Sequence, residues 1–274
     1  KAMPARSSVM ERIGKAGLST NEVGYLWMDD SLGVLLDKLD ELKLSDNTVV
    51  LFIADHGSGN KGSLYKAKGT EVPCIMRWPK GMIAGVRSDQ LIQNTDFVPT
   101  WFELAQTAIP AGYKVDGVSL KPLFHEPDAP VREYVYQEIG AARSIKTRDF
   151  SYISLRYTRD QVAGVRDNSR RHLKSMTGLS GGVSRSIATH PHAYTGDQLY
   201  DLKDDPDAQK NLASRKRHAK TLKRMQDLLI RELGKFPQRP YGEFFTGGNS
   251  IAGGSYADVF ETLRKAAGDK KKKK

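Results

Sequence analysis

The stretch Asp46-Asn47-Thr48-Val49-Val50-Leu51-Phe52-Ile53-Ala54-Asp55-His56-Gly57-Ser58-Gly59-Asn60-Lys61-Gly62 decides how the chain is read. Asp46-Asn47 breaks a preceding helical pattern. Thr48 to Ala54 then forms an unbroken apolar run rich in β-branched residues. Such a run predicts a strand covered on both faces, as in a parallel sheet flanked by helices. It ends abruptly in glycines and polar side chains, and in open α/β sheets that edge is where ligands bind. Asp55 offers an anionic oxygen suited to a hard divalent cation. His56 offers a neutral nitrogen or a proton donor, and Lys61 a compact positive charge able to meet an oxyanion. Gly57, Gly59 and Gly62 let backbone approach a ligand closely. The plain alternative is a polar turn with a satisfied Asp55, and the local residues leave both readings open.

Upstream, Asn21 to Leu44 predicts a helix with Val23, Leu26, Trp27, Val34, Leu35 and Leu39 at helical spacing, so that one stripe can be buried. Downstream, Val72 to Trp78 reads as a second strand closed by the turn Pro79-Lys80-Gly81. Asn94 to Ala108 reads as a helix with Phe97, Trp101, Leu104 and Ala105 on one face, and Pro99 within its first turn. Alternating strands and helices to about Ala111 make an α/β pattern. The character changes at Glu126-Pro127-Asp128-Ala129-Pro130. Beyond this linker, Glu133–Glu138, Ala142–Lys146, Phe150–Leu155 and Leu199–Leu202 predict a small antiparallel sheet. A helix is expected from Asp207 to Leu233, its Leu222, Met225 and Leu229 stripe forming core. The expected division is 1–125 as the end of an α/β domain, 126–240 as a small α+β subdomain, and 241–274 as a basic tail.

The chain has 274 residues, with 43 basic and 32 acidic side chains and a formal charge of +11, five of these from the run Lys270–Lys274. A single cysteine, Cys74, excludes an internal disulfide framework and a cysteine-based zinc cluster. No apolar run approaches the ~18–20 residues of a membrane span. Ten basic and three acidic residues fall between Arg143 and Arg185. That stretch reads as a solvated loop or as an electropositive rim that steers a polyanion. Nucleic-acid binding finds no recognisable module and no interleaved aromatic platform. His190 and His192 flank Pro191 in a loop; the arrangement invites a metal or substrate role, but two histidines in such a loop are more often surface residues.

Several ordered segments resemble the sulfatase family of the alkaline-phosphatase superfamily. They are Asp46–Gly57, Lys61-Gly62-Ser63-Leu64-Tyr65, Val72–Gly81, Thr95-Asp96-Phe97-Val98-Pro99-Thr100 and Asp116-Gly117-Val118-Ser119-Leu120. Leu199-Tyr200-Asp201-Leu202, Asp204-Asp205-Pro206 and Asn211-Leu212-Ala213 follow in the same order. The resemblance implies the C-terminal part of an alkaline-phosphatase-like mixed sheet flanked by helices, followed by the small antiparallel subdomain with its C-terminal helix. It implies that Asp55 ligates calcium, or magnesium. His56 would be the next ligand or would touch the substrate ester, and Lys61 would hold a sulfate oxygen and help the leaving group. Tyr65-Lys66-Ala67-Lys68-Gly69 departs from the family's Tyr-Glu-Gly-Gly or Tyr-Glu-Ala-Gly by a lysine for glutamate and one additional residue.

Members of that family attack sulfur with a formylglycine hydrate made within Cys/Ser-x-Pro-x-Arg. This sequence holds no such motif: Cys74-Ile75-Met76-Arg77 lacks its proline and spacing. Asp29-Asp30 is an acidic pair, but it lies within a predicted helix. The expectation is therefore a C-terminal portion of a sulfuric ester hydrolase that keeps half of the metal site, lacks the nucleophile and is inactive alone. Its substrate would be a sulfated small molecule or glycan, in a periplasmic or secreted setting. Two rivals remain at this stage. One is a phosphodiesterase or phosphonate monoester hydrolase of the same superfamily. The other is a non-catalytic module that binds anionic polymers.

Overall fold

The structure, a computed structural model, describes residues 2–56, 63–65, 67–156 and 188–236. Its Cα positions gather into two compact units. The first comprises Lys1–Phe52, Cys74–Ser88 and Pro122–Pro127; the second comprises Ile53–Pro73, Asp89–Lys121 and Asp128–Lys274.

In the first unit, α1 (Arg6–Lys15) packs on α2 (Val23–Glu41). α1 escaped the sequence reading because only two of its apolar side chains are used: Val9 and Ile13 are buried. Arg12 makes a two-pronged ion pair with Asp30 of α2. That pair holds the Asp30 carboxyl below its ordinary range, the hydrogen bond from Arg12 being the main cause. Asp30 is thus a structural residue, and the acidic pair Asp29-Asp30 does lie within a helix. A short 3₁₀ turn, Ser45–Asn47, separates α2 from β1 (Val50–Ile53). β1 pairs with β2 (Cys74–Arg77) in a two-stranded sheet. Trp78 leaves β2, donates its indole N–H to the Asp46 carbonyl at 2.8 Å and meets Phe124 edge-on.

Two expectations fail here. β1 is not buried on both faces: its residues are half-buried, and Ile53 is exposed. No residue of α2 is fully buried either. A sheet of two strands among the described residues has no second layer to cover it, so the apolar run finds less shelter than its composition predicts.

The second unit carries α3 (Ala67–Thr70), α4 (Phe97–Leu104) and an antiparallel sheet of β3 (Val135–Ile139), β4 (Ala142–Lys146), β5 (Phe150–Leu155) and β6 (Asp197–Asp201), in that order. Register is tight, with Ile145 opposite Tyr152 and Tyr152 opposite Leu199. One face is sealed by α5 (Ala219–Leu233). Ile145, Tyr152, Leu199, Met225, Leu228, Leu229 and Leu233 form the core there, joined at its margin by Leu222. The expected core stripe of the last helix is therefore observed.

That helix begins at Ala219 rather than Asp207. The intervening residues fold through their own side chains: Asp205 accepts from the N–H groups of Gln209 and Lys210, and Asn211 from those of Leu199 and Ala213. Short polar side chains that bond backbone this way compete with a helix. Ala208 also sits at φ 52°, which no helix interior tolerates. Arg143, Lys146, Arg148 and Arg156 are the members of the basic 143–185 stretch that fall among the described residues; the others, and the basic tail, lie outside them.

Candidate functional site

β1 delivers Ala54, whose N–H donates to the Pro73 carbonyl at 3.3 Å, and then Asp55 and His56. The Asp55 side chain is 84% exposed and that of His56 33% exposed. His56 Nε2 lies 3.4 Å from Asp55 Oδ2. A carboxylate and an imidazole thus stand side by side at the end of a strand, open to solvent. Lys61 falls in 57–62, outside the described residues, so its distance to this pair is not part of the structure.

The chain re-enters at Ser63, Leu64 and Tyr65, which are all buried. Tyr65 is held from several sides. Its hydroxyl donates to the Ala193 carbonyl at 3.0 Å and accepts from Gln198 Nε2 at 3.2 Å. Tyr200 in turn donates to Gln198 Oε1 at 2.7 Å. The rings of Tyr65 and His190 are tilted with centroids 5.1 Å apart. Burial pushes the Tyr65 phenol far above its ordinary range, so it stays a neutral donor. His190 is fully buried in this cluster, which corrects the expectation of a surface histidine; His192 is half-buried. No local pattern marks this cluster, because Tyr65 and Gln198 are 133 residues apart.

Other family-like segments prove to be scaffold. Asp96 is fully buried and accepts from the N–H groups of Gln93 at 2.7 Å and Val118 at 2.9 Å, and from the Arg132 guanidinium. Thr100 donates to the Asp96 carbonyl at 2.6 Å and accepts from the Leu120 N–H at 2.8 Å. Gly117 lies so close that a Cβ there would stand 2.0 Å from the Thr95 carbonyl oxygen. Thr95–Thr100 and Asp116–Leu120 therefore lock together through the Asp96 and Thr100 side chains, which accept from backbone N–H groups of the second segment, and Arg132 completes a charge pair that sequence spacing did not reveal. Cys74 sits half-buried in β2, and burial pushes its thiol up, away from the thiolate that reactivity needs.

The donor set at Asp55 does not by itself make a calcium site. Calcium takes about six to eight oxygen ligands. Here one carboxylate stands beside one imidazole, and among the described residues no group of three or more His, Cys, Asp or Glu side chains converges. No helix among the described residues is long and apolar enough to cross a membrane.

Residues 23–107 match the protein-family model described as Sulfatase. The chain is 34% identical over 187 residues to an ulvan-active sulfatase of Formosa agariphila, a match that covers 65% of this chain and 35% of that protein. It is 26% identical over 223 residues to an N-acetylglucosamine-6-O-sulfatase of Bacteroides thetaiotaomicron, covering 74% of this chain and 33% of that protein. The chain thus spans about a third of the length of these relatives. Among solved structures, BT4656 in complex with its substrate D-glucosamine-2-N,6-O-disulfate superposes with a TM-score of 0.58 at 23% identity, over 80% of this chain and 40% of that one. At that identity the likeness is one of fold: the mixed α/β architecture with its antiparallel sheet.

Proposed function

We propose that this chain, whose residues 23–107 match the Sulfatase family model, forms part of a sulfuric ester hydrolase acting on a sulfated carbohydrate. The observation that carries the reading is the solvent-open carboxylate–imidazole pair at the end of β1, inside the family-matched stretch. The carboxylate, 84% exposed beside the imidazole, stands at the carboxyl end of a strand, the edge where open α/β sheets bind ligands.

Asp55 would supply one hard oxygen to a divalent cation, calcium or magnesium, whose other ligands lie beyond the described residues. Such an ion, when bound, offsets negative charge on the ester oxygens. His56 would hold or release a proton for the alkoxide leaving group. Lys61, six residues on, would meet a sulfate oxygen with a point charge. The sugar sulfate as substrate class rests on the relatives, whose names specify ulvan and N-acetylglucosamine-6-O-sulfate chemistry. A periplasmic or secreted setting accompanies that reading.

The nucleophile is not in this sequence, which has no Cys/Ser-x-Pro-x-Arg. The 274-residue chain alone is therefore expected to release no sulfate from 4-nitrophenyl sulfate. Joined in one polypeptide to the part of the ulvan-active sulfatase outside the matched 187 residues, it is expected to release sulfate from ulvan oligosaccharides. Asp55→Ala should reduce that rate at least about a hundredfold, the scale of losing an electrostatic contact made in the transition state. Hydrolysis of phosphate esters without sulfate release, or turnover indifferent to Asp55, would refute the reading.

A further inference from the structure

The segment that leads into α5 carries charge of one sign. Between Asn211 and Gln226 the sequence holds six lysine or arginine residues and no aspartate or glutamate. Two of the six are neutralised where they stand, Lys223 by Asp227 and Arg224 by Glu133 at 2.7 Å. The other four, Arg215, Lys216, Arg217 and Lys220, are exposed and pair with no carboxylate among the described residues. Further along, the pattern is that of an ordinary solvated face: Lys223, and Lys235 just past the helix end, each meet a carboxylate three or four residues away. The four upstream cations depart from it.

Their position makes the lack of partners costly. They fall at Arg215, in the 3₁₀ turn Lys216–His218 and in the first turn of α5, the end at which a helix disfavours cations. No acidic residue lies in that first turn. Lys216 and Lys220, four residues apart, repel each other. Arg217 Nε donates to His218 Nε2 at 3.0 Å, and the His218 ring meets Phe150 of β5 edge-on. Leu212 and Leu222, on either side, pack against the margin of the core. The segment is thus fastened to the sheet and holds its charges together, and a multivalent anion offsets the repulsion. Chemistry selects among polyanions. No Phe, Tyr or Trp lies between Asn211 and Gln226, so the segment lacks the stacking platform on which single-stranded nucleic acid rests. Arginine forks and lysine point charges suit an oxyanion ester. Under the carbohydrate-sulfate reading of the strand-end site, the polyanion at hand is the sulfated polymer itself.

We propose that Arg215, Lys216, Arg217 and Lys220 form a docking surface for a sulfated polysaccharide chain, one that holds the polymer without help from Asp55. The choice of ligand rests on the carbohydrate-sulfate reading, but the binding does not require hydrolysis. The probe is heparin, a sulfated polysaccharide, titrated onto the full 274-residue chain by calorimetry. Binding that weakens with added salt is expected, together with amide NMR shifts at residues 215–220 of the labelled chain. Arg215→Gln, Lys216→Gln, Arg217→Gln and Lys220→Gln combined should weaken it by about tenfold or more, the scale of four exposed charge contacts. The melting temperature of that variant should hold or rise, because the mutual repulsion is gone; if it melts lower, the amide shifts of the unaltered chain decide. Lys271→Gln, Lys272→Gln, Lys273→Gln and Lys274→Gln combined remove the same charge from the tail and should weaken binding by less than about threefold. Desulfated heparin, which keeps its carboxylates, should bind about tenfold more weakly or worse. Equal loss in the tail variant, heparin binding without shifts at 215–220, or absence of heparin binding would overturn the proposal. So would tighter binding of single-stranded DNA through the same four residues, or loss of heparin binding in Asp55→Ala. Heparin binding that survives Asp55→Ala while the joined polypeptide releases no sulfate would fault only the assignment of the reaction.

Discussion

α2 and α5 carry comparable apolar stripes and meet opposite fates. In α5, Met225, Leu228, Leu229 and Leu233 are nearly inaccessible, pressed on Ile145, Tyr152 and Leu199 of the four-stranded sheet. In α2, Tyr25, Met28 and Leu35 face solvent. Periodicity states that a face requires cover; it does not state whether the cover is present. The contrast predicts where stability resides: in the buried pairs and core of the second unit, not in the open helix of the first.

The largest effect is expected at Asp96. Asp96→Ala leaves the Arg132 guanidinium buried without its carboxylate and strips the Gln93 and Val118 N–H groups of their acceptor. Breaking a buried pair in this way costs about 3–5 kcal/mol. Urea unfolding should show it, and a loss under about 1 kcal/mol would remove Asp96 from the scaffold. Next, Met225→Ala should cost about 2–5 kcal/mol, as truncation of a fully buried core side chain does. Leu35→Ala should change stability by no more than about 0.5 kcal/mol, in keeping with its exposure. Equal costs at the two positions would erase the distinction between the helices. Tyr65→Phe keeps the ring but deprives the Ala193 carbonyl of the Tyr65 donor and Gln198 Nε2 of one of its two acceptors, the Thr195 carbonyl remaining. A penalty of about 1–3 kcal/mol follows from the buried carbonyl left unpaired. A neutral Tyr65→Phe melt would detach this anchor from the account.

The smallest effect is an alkaline one. Tyr134 donates to Glu232 at 2.8 Å, and burial first, then that carboxylate, push its phenol up to about 12. Tyr152 and Tyr200 are pushed up by burial as well. Unfolded tyrosine ionises near pH ~10. Below that pH both states hold the proton and nothing is lost. Between about 10 and the folded value the unfolded chain alone releases it, so stability falls as pH rises through this window. The melting temperature should drop there, and Tyr134→Phe should make the drop shallower. An unchanged slope would show that Tyr134 contributes nothing to it.

Much of the second unit was legible because its signals are local. β4 and β5 fall at Ala142–Lys146 and Phe150–Leu155, as the alternation indicates, and the Met225 stripe is core. The start of α5 was misplaced because Asp205 and Asn211 spend their side chains on backbone, which periodicity does not register. The buried His190 and the Asp96–Arg132 pair depend on contacts distant in sequence and left no local trace. Of the site, the side-by-side carboxylate and imidazole were readable from an apolar run that gives way to Asp55-His56 just after the strand ends at Ile53. The strand's incomplete burial was not, since an apolar run reports only its own appetite for cover.

The most direct test of the strand-end site uses NMR on the isotopically labelled chain with calcium present. D-glucosamine-6-sulfate is titrated to millimolar concentration while the Asp55 carboxyl, His56 imidazole and Lys61 ammonium signals are followed. The predicted result is a saturable shift of all three that disappears in Asp55→Ala. Shifts confined to basic residues elsewhere, with these three unmoved, would contradict the assignment.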